Sequence, residues 1–373
     1  MNKKVLVITI TQMSETESRI IKEAKSLIKH GYDVTVCGIL YPNQIENEIV
    51  SGIPVRRHYL KTKKLPNSFF FQIFKLLEFY KVIKKEQSNA DIIDCHCLYS
   101  LLVGKWLKKK LKAKKLILNA HELETERTGL AGLRKKVSKF LEKHLIKKCD
   151  NVIVVSASIE RWYKETYPKT NITCVYNAPQ YLEPEKNNYF RDHFNISSDS
   201  IIFLYQGGFS SGRGIELILE TFSNLSNKYH VVFMGYGPFE SNILEGESKY
   251  SNIHYHKAVP QADLYKYTSS ADYGLSIIES KSLSYEYCMP NKLFEYTMFE
   301  VPVIVSNTMD QVHFVSENNI GYILNSFSSE SLKELILSID YNNIGIFKEN
   351  MKKIRKKYSW DTQEDKLFEV YDN

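Results

Sequence analysis

The chain has 373 residues, 43% of them hydrophobic, with 50 Lys and Arg against 43 Asp and Glu; that length is about twice an ordinary domain, so two separate cores are expected. No apolar run reaches the ~20 residues a bilayer-spanning helix needs, and no charged-apolar-small leader pattern appears, so a cytoplasmic location is expected. Residues 1–180 hold 33 Lys and Arg against 17 Asp and Glu, whereas the remainder holds 17 against 26. The first half is therefore a cation, suited to an anionic partner, and the second an anion.

In chain order, Lys4–Ile10 is a β-branched run of the fully buried kind, Ser18–His30 follows helical spacing and stops at Gly31, and Val34–Cys37 reads as the next strand. Strands apolar throughout and joined by helices imply a parallel sheet covered on both faces. Ser68–Lys85 is aromatic-rich with trailing lysines. Such a helix either lies in the headgroup layer of an anionic membrane or packs its aromatic face inward. Further strands are expected at Asp91–Cys95, Lys115–Asn119, Val152–Val155 and Ile172–Val175. Basic runs at Lys105–Lys115 and Arg134–Lys148 carry much of the positive excess, but no nucleic-acid recognition motif accompanies them.

The pattern restarts after a polar stretch near Ala178–Ser200. Strands are expected at Ile201–Tyr205, Val231–Met234, Ile253–His256, Tyr273–Ile277 and Val301–Val305, with helices from Gly214 and Asn291 and a last helix over Trp360–Tyr371. The fold class is thus α/β, with two doubly wound domains at 1–180 and 181–355 facing each other across a cleft, and a terminal helix in 356–373 crossing back to the first. Ligands of such sheets sit at the carboxyl ends of the strands. Six cysteines are scattered, and only Cys95 and Cys97 lie close together, without a second pair. They read as reduced thiols, and no metal site is expected.

Three motifs carry the chemistry. Tyr205-Gln-Gly-Gly-Phe-Ser-Ser-Gly-Arg-Gly214 ends a strand: Gly207 and Gly208 let the backbone approach a ligand, and Arg213 can grip a diphosphate bidentately. Gly235-Tyr-Gly237 ends the next strand. Pro290-Asn-Lys-Leu-Phe-Glu295 places Pro290 at a first helical position with Asn291, Lys292 and Glu295 on one side, where the helix N-terminus and Lys292 attract phosphate and Glu295 can accept hydrogen bonds from ribose hydroxyls. In the first half, His121 of Asn119-Ala-His-Glu-Leu123 follows a strand directly and can face a cleft, with His96 as its neighbour at the end of the preceding strand.

Taken in order, Ser18-Arg-Ile-Ile-Lys-Glu-Ala, Asn119-Ala-His-Glu-Leu, Val175-Tyr-Asn-Ala-Pro179, Tyr205-Gln-Gly, Gly235-Tyr-Gly-Pro, Pro290-Asn-Lys-Leu-Phe-Glu-Tyr and Val301-Pro-Val-Ile resemble glycosyltransferase family 4, built on the two-Rossmann GT-B fold. The resemblance implies retaining, metal-independent transfer of a hexosyl unit from a nucleoside diphosphate sugar, most often a UDP-sugar, with no cofactor. It implies that Arg213 and Lys292 neutralise the departing diphosphate, that His121 stands beside the donor sugar, and that Gly207, Gly208, Gly235, Val259, Glu286, Pro290, Asn291 and Glu295 line the donor site. Ser18, Arg19, His96 and Glu122 fall on the acceptor side. The expected partner is a lipid-linked glycan acceptor of surface polysaccharide synthesis (capsule or O-antigen), met peripherally on the inner face of the cell membrane through the basic first domain.

Two positions depart from the family pattern. The usual glutamate pair is spaced eight apart, whereas Glu286 lies nine before Glu295 with Tyr287 between, and Gly208 stands where an arginine is usual. Two other readings share the same residues: a glycosyltransferase-like binding subunit without catalysis, and a sugar-nucleotide epimerase on the same fold.

Overall fold

The computed structural model describes residues 2–14, 17–66 and 68–372. They fall into two compact units, Met1–Val175 with Glu364–Asn373, and Tyr176–Gln363.

The first unit is built on eight strands: β1 Lys4–Ile8, β2 Asp33–Ile39, β3 Asn47–Val50, β4 Ile53–His58, β5 Ile92–Cys95, β6 Lys115–Asn119, β7 Asn151–Val154 and β8 Asn171–Cys174. Their order is β3-β4-β2-β1-β5-β6-β7-β8, parallel except for the β3–β4 hairpin. That hairpin, which the apolar runs do not announce, turns at Ser51 and Gly52, both at positive φ, as a two-residue turn between twisted strands requires. Four helices matter below: α1 Ser18–Lys29, α2 Phe69–Glu86, α3 Leu98–Leu111 and α4 Gly132–Leu145. Successive strands depart to opposite sides of β1, to β2 on one flank and β5 on the other, so the switch point of this sheet is at the carboxyl ends of β1 and β5. Register brings Ile8, Cys95 and Leu118 level, so Thr9, His96 and Asn119 leave the sheet at one edge.

Helix α2 divides its apolar run between two faces. Leu76, Phe79 and Ile83 are buried on its inner face, whereas Phe70, Ile73, Phe74 and Leu77 stand exposed at helical spacing on the other. No helix among the described residues is long and apolar enough to cross a membrane.

The second unit holds β9 Ile201–Gly208, β10 Tyr229–Tyr236, β11 Ile253–Lys257, β12 Tyr273–Ser276, β13 Val303–Ser306 and β14 Gly321–Leu324, all parallel in the order β11-β10-β9-β12-β13-β14. Its switch point lies between β9 and β12. Apolar layers cover both faces: Leu204, Val232, Leu293 and Val305 on one, and Phe203, Val231, Phe233 and Ile304 on the other. The strand expected from Val301 begins at Val303, because Pro302 has no N–H to give and offers only its carbonyl, to Gly274 N at 2.8 Å. A second correction concerns Pro290, which is the N-cap residue (ψ 140°) of the helix Asn291–Met298 and not its first helical residue. The C-terminal helix runs from Trp360 to Asp372.

Glycine is required where β9 and β10 meet. The pair is in register at Gly207 and Gly235, and a Cβ on Gly235 would lie 1.9 Å from the Gly207 carbonyl oxygen, whereas one on Gly208 would meet nothing within 4 Å. Gly235→Ala is therefore expected to lower stability by about 1–3 kcal/mol through forced displacement of β9. Gly208→Ala should stay within ~0.5 kcal/mol of the parent. Denaturant titration of both variants, followed by tyrosine fluorescence, measures the difference.

Candidate active site

At the carboxyl end of β9 the chain assembles a cationic pocket wall from three segments of the second unit. Lys292, on the first turn of its helix, holds its Nζ 3.4 Å from the centre of the Tyr205 ring, and its Cε is the one atom a Cβ on Gly207 would approach, at 3.8 Å. Arg213 sits between Gly212 and Gly214, both at positive φ, with its guanidinium carbon 5.1 Å from the centre of the Tyr285 ring. The two glycines are packed tightly: a Cβ on Gly212 would strike the Tyr285 ring at 2.7 Å and one on Gly214 would strike Ile277 at 2.6 Å. This loop can follow its path only without side chains at those positions. Burial, and after it the neighbouring Arg213 charge, holds the Lys292 ammonium well below the usual lysine range, although Glu295 works in the other direction. Added negative charge beside Lys292 would favour its charged form.

Glu295 is held by Gln206, whose side-chain amide donates to its Oε2 at 2.5 Å while the Gln206 carbonyl accepts from Thr268 Oγ1 at 2.8 Å. The Tyr296 hydroxyl, buried beside them, donates to the Leu204 carbonyl at 2.8 Å and accepts from Gln206 N at 3.2 Å. Glu295 therefore presents a carboxylate of fixed orientation. Of the other residues expected on the donor side, Asn291 is exposed beside Lys292, and Val259 lies half-buried just beyond β11. Glu286 is committed elsewhere. It accepts from Ser280 Oγ and from Met309 N at 3.1 Å, capping the helix Met309–Asn318.

In the first unit the switch point is filled by a buried polar cluster. Arg19, one residue into α1 after the half-buried Ser18, donates from Nε to Asn119 Oδ1 at 3.1 Å and from Nη1 to the Val175 carbonyl at 3.1 Å, and pairs with Glu23 at 2.8 Å. It is 5% exposed, so its part is to tie α1 to the strand ends. His96 bonds through Nε2 to Asp94 Oδ2 at 3.0 Å and through Nδ1 to His121 Nε2 at 2.8 Å. His121 itself is exposed. Glu122 turns away to pair with Arg127 at 3.1 Å.

Burial alone would lower His96, but Asp94, with Glu23 behind it, overrides burial and raises it. Although the residue reaches the surface, loss of solvent around its ring, and after it the charges of His96 and Arg19, push His121 well below the usual histidine value. Ligand atoms of Glu23, Asp94 and His96 lie within 4.8 Å of one another. The Arg19 guanidinium already supplies the positive charge these carboxylates call for, so the cluster fits a bound cation poorly.

Sequence reasoning did not single out Gln206, Asp94, Glu23 or Tyr205 as site residues. A signal existed for two of them: Gln206 and Asp94 are polar residues inside otherwise apolar strand runs, where an unpaired side chain would be costly. Glu23 had no such mark.

Comparisons with known proteins bear on the family and the fold. Residues 16–178 match the family model for Glycosyltransferase Family 4, and residues 219–361 match that for the glucosyltransferase 3-like C-terminal domain. A search of curated proteins finds no match. Among solved structures, the sucrose-phosphate synthase of Thermosynechococcus elongatus superposes with a TM-score of 0.81 at 16% identity, over 99% of this chain and 98% of that one. HepE of Anabaena, solved with UDP and glucose, gives 0.75 at 12% identity over 100% of both chains. WaaG, a glycosyltransferase involved in lipopolysaccharide biosynthesis, gives 0.71 at 14% identity over 97% and 98%. The two doubly wound units are those of the GT-B fold, and the chain is a glycosyltransferase of the family 4 type.

Proposed function

We propose that the enzyme transfers a hexosyl unit from a UDP-sugar to a lipid-linked glycan at the inner face of a membrane, with retention of configuration and without a resident metal. The observation that carries this reading is the pair of cationic side chains Lys292 and Arg213 beside the fixed carboxylate of Glu295. A diphosphate supplies negative charge, and a ribose supplies two hydroxyl donors for Glu295. Structural relatives have been solved with UDP and with UDP-glucose, which supports the choice of nucleotide. In the reaction the bond from the anomeric carbon to the diphosphate oxygen breaks as the bond to the acceptor oxygen forms on the same face. The acceptor hydroxyl proton passes to the departing phosphate. The charge that grows on that phosphate is met by Lys292 and Arg213, and His121 is assigned to the transferred sugar.

The exposed stripe of α2 supports the membrane-facing acceptor. Phe70 is 74% and Phe74 53% exposed, and Lys81, Lys84 and Lys85 follow them in solvent. Helix α4 adds exposed Leu133 and Phe140 among exposed Lys136, Lys139 and Lys143. Apolar anchors interleaved with lysines suit the headgroup layer of an anionic bilayer. The engagement of Glu286 with Ser280 and Met309, together with Gly208 in place of an arginine, is what favours the second reading, a nucleotide-binding subunit without turnover.

Three measurements test these statements. Arg213→Ala is expected to lower kcat/KM at least ~100-fold, and Glu295→Gln to weaken UDP binding about tenfold, each with an unchanged circular dichroism spectrum; turnover equal to the parent in both would reject the assignment. Because a diphosphate restores charge to a lysine held below its usual range, binding takes up protons and affinity falls as pH rises through the free-protein value. Calorimetry of UDP binding in buffers of different ionisation heat should show proton uptake at and above the pH where Lys292 titrates in the free protein, lost in Lys292→Met. Finally, flotation with vesicles rich in phosphatidylglycerol should recover the parent protein, and a Phe70→Asp, Phe74→Asp double variant should remain at the bottom of the gradient with transfer to a soluble acceptor intact.

A further inference from the structure

Asp94, His96 and His121 lie in a single line of hydrogen bonds that ends on the C-terminal helix. Tyr371 donates its hydroxyl to Asp94 Oδ2 at 2.7 Å, the same oxygen that His96 Nε2 meets at 3.0 Å, and His96 Nδ1 meets His121 Nε2 at 2.8 Å. Every member but the last is buried. The segment that carries His96 is also strained: Cys97, the N-cap of α3, has φ 151°, a region that favours glycine. Strain of this kind persists only where surroundings over-determine it. The surroundings are visible here, since both oxygens of the buried Glu124 accept from Leu98 N at 2.8 and 2.9 Å and pin the start of α3 directly after the strained residue. The fold thus holds His96 in one place, with its two nitrogens already assigned.

We propose that this line is a proton relay in which Asp94 and His96 act as positioning residues that decide which ring nitrogen of His121 carries hydrogen, with Tyr371 anchoring the far end. It rests on the reading of His121 as the group that meets the transferred sugar.

The proton count follows from the contacts. While His96 is charged, Nε2–H donates to Asp94 and Nδ1–H donates to His121 Nε2, so neutral His121 carries its hydrogen on Nδ1 and is a donor there. When His96 loses its charge, the carboxylate keeps the Nε2–H. The Nδ1 hydrogen of His96 passes to His121 Nε2, and the hydrogen on His121 Nδ1 leaves to solvent. One proton is lost, and His121 Nδ1 has changed from donor to acceptor. Among the described residues Nδ1 of His121 has no hydrogen-bond partner, so this change is presented to a ligand.

The groups that face His96 set the pH at which the change occurs. From its own strand comes Asp94, from α1 come Glu23 at 3.8 Å and Arg19, from the segment after β6 comes His121, and from the C-terminal helix comes Tyr371 on Asp94. The two carboxylates together raise His96 against burial and Arg19. His121 is held low by its surroundings, so it gains charge less readily than His96.

The experiment is a pH titration of the full chain labelled with 15N-histidine, following both ring nitrogens of His96 and His121, alongside the pH profile of kcat. The expected result is that the His121 nitrogens exchange hydrogen-bearing character at the midpoint where His96 titrates. Asp94→Asn should move that common midpoint down by about one pH unit or more, with the kcat profile moving with it and KM for the nucleotide sugar unchanged. Tyr371→Phe should broaden the His96 signals while the protein stays folded. The proposal is overturned if His121 keeps one tautomer while His96 titrates, or if the two rings titrate independently. The spectra decide this in the unaltered protein whether or not Asp94→Asn folds. They also decide it apart from any assay of transfer, so a failure of the relay and a failure of the glycosyltransferase assignment read differently.

Discussion

The second unit is organised around a buried lysine whose charge Glu295 balances only in part. Lys292 rests on the Tyr205 ring, a contact worth roughly 0.5–2 kcal/mol, whereas removing an ammonium from water costs several. Glu295 returns part of that difference, but Arg213 stands close enough to work against it. A fold keeps such an arrangement when a ligand completes it. The local architecture follows: bare glycines at Gly207 and Gly208 leave the approach open, positive-φ glycines either side of Arg213 aim its loop, and Gln206 fixes Glu295 from beneath. A diphosphate attached to a ribose, the ligand proposed above, would answer all three features.

The first unit solves a different problem. Its switch point is filled by charges that balance one another, Arg19 and His96 against Glu23 and Asp94, so it has no comparable need of an ion. What leaves that cluster is a single imidazole, His121, joined to it by one nitrogen. The arrangement exchanges charge for orientation: the buried groups are spent on fixing a neutral ring. The C-terminal helix belongs to this design, because Tyr371 reaches Asp94 and Lys115 Nζ donates to the Tyr371 carbonyl at 2.9 Å, satisfying the helix's carbonyl end.

Much of this was legible in the residues, and for identifiable reasons. Strands buried on both faces appear as unbroken apolar runs, so Lys115–Asn119 was placed to the residue and most others within two. That glycines and cations gather at the end of β9 was legible because they sit in two short motifs. Partnership across the sheet was not. Nothing in the spacing of Gln206 and Glu295, or of Asp94 and Tyr371, foretells that they meet, since those pairs form only once the strand order is set. Local competition was also hidden: Glu286 has the right chemistry for a sugar, but the orphan N–H of Met309 lies nearer. The β3–β4 hairpin escaped because half of it is exposed and its strand pattern is short.

The most direct measurement of the central claim is a crystal structure of the full chain with UDP. The account places the diphosphate within hydrogen-bond distance of Lys292 Nζ and the Arg213 guanidinium, and the ribose hydroxyls on Glu295. A diphosphate seated elsewhere, with Lys292 still resting on Tyr205 and Arg213 on Tyr285 as they do without it, would contradict the account.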